Sequence, residues 1–225
     1  MFQTGQSMTT IQYQGRQARR SGSEHRRKAI LEAALAIVVR EGIRNVRHRA
    51  VAKEADVPLS ATTYYFKDIS DLICDAFTLF AENAMETIIE PFQRQAFALL
   101  DSFDGDLPKG DAREAMFSTL TDMITAYLLS EVTQNRDHLI AEQAFMQEAT
   151  LDPRLAELAG LYFAKQQMVM VAACEKLGTL NPELDAEFTL ANLLSLERQL
   201  LLRNEQSVAF IRPRVARLLT LICGA

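Results

Sequence analysis

Apolar residues return at steps of three and four along almost the whole chain after residue 24, and no stretch keeps up the strict alternation of a half-buried strand. Stripes with that period can be covered only by packing helix against helix, so an all-α fold is expected. A first helix is predicted over residues 24–41, with Ile30, Ala33, Ala34, Ile37 and Val38 on one face and Gly42 placed to stop it with a left-handed cap. Short helices follow over 47–54 and 59–65, the second opened by Pro58, which has no N–H to lose at a helix start. Asp68 with Asp71 three residues on predicts the cap of a fourth helix reaching residue 90, where Pro91 breaks or kinks it. Gly105, Pro108 and Gly110 mark 101–111 as a loop, and its scattered Asp residues lack the ligand order of a calcium loop. Further helices are predicted over 112–130, 137–149, 154–177, 183–203 and 207–222, about nine in all.

With 225 residues, 48% hydrophobic and 24% charged, the chain has the make-up of an ordinary globular protein, either one large domain or a small one fused to a larger. Beyond the polar N-terminal tail no uncharged run exceeds the ten residues from Val57 to Phe66, half of what a membrane span needs. The first fifteen residues lack the apolar core of a secretory signal, so a cytoplasmic chain with no membrane partner is expected. Cys74, Cys174 and Cys223 lie far apart, which argues against a disulfide framework or a zinc site and for buried, idle thiols. Charge divides the chain unevenly. Residues 1–70 hold twelve Lys or Arg against six Asp or Glu, a net +6, and residues 71–225 hold twelve against twenty-three, a net −11. A basic front on an acidic body points to a polyanion as the partner of the first third, because cationic side chains gain affinity by releasing counterions condensed on nucleic acid.

The two short helices and the tight connection between them read as a helix-turn-helix, whose second helix is narrow enough for a major groove roughly 12 Å wide. Val51, Ala52, Ala55 and Val57 supply the apolar underside and Phe66 anchors the far end. Leu59, Ser60, Ala61, Thr63 and Tyr64 remain for the outside, a set of small, hydroxyl-bearing and aromatic side chains suited to base edges, thymine methyls and phosphates. Arg16, Arg19, Arg20, Arg26, Arg27 and Lys28 form a basic arm beside this motif, of the kind that tracks phosphates or enters a minor groove. His25 and His48 belong to no metal-ligand spacing and are expected at the surface or facing phosphate.

From Arg49-Ala50-Val51-Ala52 through Ala55-Asp56-Val57 to Thr63-Tyr64-Tyr65-Phe66-Lys67, the sequence resembles the DNA-binding signature of the TetR family of transcriptional regulators. The resemblance covers about residues 26–75. It implies a flexible basic arm over 1–23, a three-helix DNA-binding domain over 24–70, and an effector-binding and dimerisation domain over 71–225. It further implies a homodimer that binds a palindromic double-stranded DNA operator, usually as a repressor, and releases it when a small molecule enters the body; no cofactor and no metal are implied. Carried over by position, the recognition residues fall on Leu59, Ser60, Ala61 and Thr63 and the phosphate-contacting aromatic region on Tyr64 and Tyr65, with Arg47, His48, Arg49 and Lys67 beside them. There are departures. Arg47 stands where a hydroxyl residue often opens the second helix, Asp56 where the turn has glycine, Ser60 at the small residue of early helix three, and Ile69 where a lysine is common. Thr62 replaces an inward Leu, and its hydroxyl can bond a carbonyl of the preceding turn.

In the body, aromatic residues and adaptable methionines suggest a mainly apolar effector cavity near Phe80, Phe117, Tyr127, Phe145 and Tyr162. His138 and Glu142, one turn apart, are expected as a surface pair. The last two helices carry apolar stripes that include Phe188, Leu193, Leu200, Ile211, Val215, Leu218 and Ile222. Two such helices from each of two copies form a four-helix bundle, which makes these the expected dimer contacts. The competing classes are an all-α enzyme, for which no Glu-x-x-His pair, G-x-S-x-G, H-E-x-x-H or phosphate-binding loop occurs, and a helical ligand-binding or protein-interaction module that does not act through DNA.

Overall fold

The computed structural model describes residues 11–16, 21–102 and 108–223. Among these residues the chain is all helix with no strand: α1 (Ser21–Glu41), α2 (His48–Glu54), α3 (Leu59–Tyr65), α4 (Ile69–Ala84), α5 (Glu90–Asp101), α6 (Asp111–Thr133), α7 (Arg136–Ala149), α8 (Pro153–Lys176), α9 (Pro182–Arg203) and α10 (Val208–Cys223). The all-α expectation holds. Arg19, Arg20 and the centre of the 101–111 loop, including Asp104, Gly105 and Asp106, lie outside the described residues. The chain divides into two compact units, one of Met1–Asn83 with Ile140–Phe163 and one of Ala84–Leu139 with Ala164–Ala225, so α7 and α8 contribute residues to both.

In the first unit, Ile30, Leu31, Ala34, Ile37 and Val38 form the buried stripe of α1. The helix stops where expected, at Gly42, whose φ is 84° and whose N–H donates to the Val38 carbonyl at 3.0 Å. A single 3-10 turn, Ile43–Asn45, then leads to α2. Arg47 occupies the N-cap of α2 without a side-chain cap bond, as a long cation does where a hydroxyl would reach back. The other end of α2 closes with a Schellman turn: the Asp56 N–H donates to the Lys53 carbonyl at 3.3 Å and the Val57 N–H to that of Ala52 at 3.0 Å. This turn demands a left-handed residue, and Asp56 adopts φ 50° in place of the usual glycine. Pro58, at φ −59°, sets the entry into α3.

The N-termini of α4 and α8 are tied together within this unit. Asp68 caps α4 by accepting from the Asp71 N–H at 2.8 Å, and the Asp71 carboxylate accepts from the Lys67 N–H at 3.2 Å, a variant of the capping box predicted there. Asp152 caps α8 through the N–H groups of Arg154 and Leu155 and accepts the Ser70 hydroxyl at 2.6 Å. Arg154 in turn reaches Asp71 at 2.9 Å and Asp68 at 3.2 Å. The core below holds Phe77, Phe80, Phe145 and Tyr162, with ring centroids 5.3–6.0 Å apart and mostly tilted or edge-on.

Pro91 does not end the helical path. A π-helical turn, Met85–Ile89, precedes it and runs directly into α5, so the register changes where Pro91 has no N–H for an ordinary i−4 bond. The stretch after Pro91, left without a helix by the sequence pattern, is therefore α5. In the second unit, Leu120, Leu128 and Val132 of α6 pack with Leu196 and Leu200 of α9 and with Ile211, Val215, Leu219 and Ile222 of α10. Arg212 fastens α10 to α6 through Asp122 at 2.7 Å and Ser118 at 3.1 Å. Pro213 lies inside α10, one turn from its start.

Two outcomes test these local arguments. Asp56→Val should lower the unfolding free energy by about 1–2 kcal/mol, since a β-branched residue resists left-handed backbone, while Asp56→Gly should not; equilibrium denaturation followed by circular dichroism measures both. Hydrogen bonds from Ser70, Leu155 and Arg154 hold the Asp152 carboxyl below its ordinary value, so its contribution is present at neutral pH and lost as the pH falls through the acid range. The melting-temperature gap between the wild-type chain and Asp152→Asn should accordingly close on acidification.

Candidate nucleic-acid interface

Seven residues of α3 divide cleanly by direction. Thr62, at 0% exposure, turns inward, and its hydroxyl donates to the Leu59 carbonyl at 2.8 Å, as the sequence suggested. Tyr65 and Phe66 follow three and four positions on and are buried with it. Leu59, Ser60, Thr63 and Tyr64 are exposed, Tyr64 at 54%, and Ala61 is half-buried. The outer face is therefore a strip of one aliphatic, two hydroxyl-bearing and one aromatic side chain over a fixed base.

Tyr65 needs correction. Its ring is only 4% exposed, its hydroxyl lies 2.7 Å from Ser23 Oγ, and that hydroxyl also donates to the Ser23 carbonyl at 3.1 Å. Those bonds use the polar atom that a phosphate would need, so Tyr65 anchors α3 to α1, and Tyr64 alone of the pair faces outward, edge-on to it at 5.1 Å. The spacing held the signal: residue 65 is one helical step from Thr62 on the same face.

Around the strip stand exposed cations. Arg47 at the N-cap of α2, Arg49 on α2 and Lys67 after α3 are exposed and have no acidic partner among the described residues, in contrast to Arg40, whose guanidinium holds Glu41 and Glu54 at 2.8 and 2.9 Å. His48 is half-buried, with Nδ1 out of solvent and unbonded among the described residues. Residues 11–16, expected within a flexible arm, are fixed: the Arg16 N–H donates to the Tyr65 carbonyl at 3.0 Å and the Arg16 guanidinium sits 4.5 Å over the Tyr64 ring.

The other expected sites fall as follows. Phe80, Phe145 and Tyr162 come together in the first unit, where the Tyr162 hydroxyl donates to the buried Glu142 at 3.1 Å. Phe117 and Tyr127 belong to the second unit: Phe117 lines an open groove of about 560 Å³ with Arg113, Thr121 and Arg212, and Tyr127 packs on Phe92 at 4.5 Å. His138 and Glu142 are not a surface pair. His138 is 16% exposed beside Glu131 at 3.3 Å, and Glu142 is buried against Tyr162, each drawn inward by its own partner. Of the expected dimer contacts, Leu200, Ile211, Val215 and Ile222 are buried in the core of their own chain with residues of α6, Val215 also reaching the floor of the groove described next. Phe188, Leu193 and Leu218 instead line a groove of about 350 Å³ on the outer side of α9 and α10, together with Leu221. Burial pushes the thiols of Cys74, Cys174 and Cys223 up to about 11.

No family model matches the chain. A curated relative, the HTH-type transcriptional regulator AcrR of Shigella flexneri, is 28% identical over 130 residues, which is 56% of this chain and 56% of that protein, so the chain spans about half the length of the relative. Among solved structures, a TetR-family member from Streptomyces coelicolor A3 is 25% identical with a TM-score of 0.64, covering 86% of this chain and 97% of that one. The multidrug binding protein EbrR complexed with proflavin is 25% identical with a TM-score of 0.55, over 86% and 99%. The likeness to these solved structures covers 86% of the chain and so reaches well beyond residues 49–67.

Tyr64→Ala should leave the melting temperature within about a degree, because the ring is exposed, whereas Tyr65→Phe should cost about 1 kcal/mol by freeing Ser23. Denaturant titration of both variants measures the difference, and equal losses would mean that the two rings share one environment.

Proposed function

We propose that this chain, which carries the TetR fold and a TetR-like helix-turn-helix, is a transcriptional regulator, a repressor that binds a palindromic DNA operator as a homodimer and lets go when a small molecule binds its body. The observation that carries the reading is the outward strip of α3: Leu59, Ser60, Thr63 and Tyr64 are exposed on a short helix whose opposite side is locked into the core, with Arg47, Arg49 and Lys67 beside it. In the major groove such a strip meets base edges through its hydroxyls and thymine methyls through Leu59 and Ala61, while the flanking cations meet phosphates. Nothing in the strip has the pairing of acid, base and nucleophile that catalysis would use.

A palindromic site requires two strips at a fixed spacing, hence two copies. The outer groove of α9 and α10 supports this, because Phe188 and Leu221 are 52% and 54% exposed in a single chain and Leu184 is 62% exposed on the same helix as Phe188. Covering apolar surface of that kind is worth roughly 25 cal/mol per Å². For the effector, the similarity to EbrR, a multidrug binding protein seen with proflavin, supports a small organic ligand. The groove at Phe117 has the volume of a ligand site, whereas Phe80, Phe145 and Tyr162 are packed ring to ring and would have to part to admit one.

Selection of bound duplexes from a random pool tests the reading directly. We expect an inverted repeat, bound in a strongly salt-dependent way and lost with Tyr64→Ala; recovery of no duplex would favour a helical module that does not act through DNA. Leu218→Glu should convert a dimer to a monomer in sedimentation and abolish binding to the full repeat, and a dimer that persists at low concentration would move the interface elsewhere.

A further inference from the structure

Asp75 of α4 is 0% exposed and Arg27 of α1 is 3% exposed, with Arg27 NH2 2.6 Å from Asp75 Oδ2. A buried carboxylate is tolerated only when its remaining lone pairs are also occupied. Here the occupants are not on a helix. They are the backbone N–H groups of Gln14 and Gly15, which donate to Oδ1 and Oδ2 at 2.5 and 2.9 Å. Desolvation pushes the Asp75 carboxyl upward, and these two amides with Arg27 pull the other way, so the N-terminal segment supplies part of what keeps the charge in place. On one side of this junction Tyr13 donates to Glu82 of α4 and lies with its ring 4.3 Å from the Arg27 guanidinium. On the other, Arg16 bonds the last carbonyl of α3 and covers Tyr64.

Gly15 has no room for a side chain. A Cβ there would come 2.7 Å from Asp75 Oδ2 and 3.0 Å from both the Tyr65 carbonyl and the Phe66 ring. The segment is therefore fitted to its seat by backbone, and four consecutive residues bridge α4 to the reading end of α3.

We propose that Tyr13–Arg16 are a strap through which Asp75, as a positioning residue, holds the Arg16 guanidinium beside Tyr64 as a DNA phosphate contact. The proposal rests on the reading of α3 as the DNA-facing helix. It adds that the contact is conditional: whatever separates α4 from α1 takes from Asp75 its partner Arg27, frees the strap and removes Arg16 from the interface. The strap is thus a route by which the state of α4 reaches DNA without moving α3 itself.

The test uses the full chain and a duplex recovered by the selection above. Arg16→Ala should weaken binding roughly tenfold and reduce the magnitude of the salt slope by about 0.9 per chain, the value of one phosphate contact. Asp75→Asn should do the same, and the double variant should be no weaker than either single one, because Asp75 acts through Arg16. Hydrogen exchange without DNA should find the Gly15 and Arg16 amides protected in the wild-type chain and open in Asp75→Asn. Should Asp75→Asn fail to fold, Gly15→Val unseats the strap from outside the core and must give the same loss of affinity and slope. Additive losses, an unchanged slope in Arg16→Ala, or unprotected strap amides would overturn the proposal while leaving DNA binding intact. Recovery of no duplex would instead remove the DNA reading and this proposal together, even with the strap amides protected.

Discussion

Two turns of helix form too few hydrogen bonds to offset the entropy of nucleation, so α3, seven residues long, takes its shape from what stands behind it. Thr62, Tyr65 and Phe66 fill that role by burial, and the Tyr65 hydroxyl adds a polar tie to Ser23, forty-two residues earlier in the chain. Once the inner side is held, the outer side is free of structural duty. Leu59, Ser60, Thr63 and Tyr64 can be chosen for what they touch outside the protein, which is the condition a recognition surface has to meet. The left-handed Asp56 serves the same end from the other direction, because the Schellman turn around it fixes where α2 stops and where α3 can begin.

A comparable separation of faces runs through α10. Ile211, Val215, Leu219 and Ile222 recur at steps of four, four and three and are spent on the core of their own chain. Leu218 and Leu221 sit between them on the helix and face the outer groove with Phe188. One helix thus carries a buried apolar stripe and, beside it, Leu218 and Leu221, which are partly exposed along the outer groove.

Much of this was legible in the residues, and the gaps have physical causes. The bounds of α3 could be read to the residue because Pro58 marks its start and the inward aromatic Phe66 its end. The end of α1 was equally plain from Gly42. By contrast, α5 was invisible because Pro91 reads as a stop, and a pattern of side chains carries no sign of the π turn that accommodates it. The buried and outer apolar residues of α10 merged into one stripe because apolar content does not say which neighbour covers it. The resemblance carried Tyr64 and Tyr65 over together as one aromatic region, whereas the spacing of Tyr65 from Thr62 was the better guide to where it points. Of residues 11–16 only the charge of Arg16 was legible, as part of the basic arm: the segment has no periodicity, and its bonds to Asp75 are made by backbone, which the sequence does not vary.

The three thiols have a consequence for how such a chain senses its surroundings. With values raised to about 11, on the order of one thiol in ten thousand is ionised at neutral pH, and Cys74 and Cys174 are shut away from solvent. Peroxide, electrophiles and disulfide exchange all act on the thiolate, so these three cysteines are poor targets for such reagents at neutral pH.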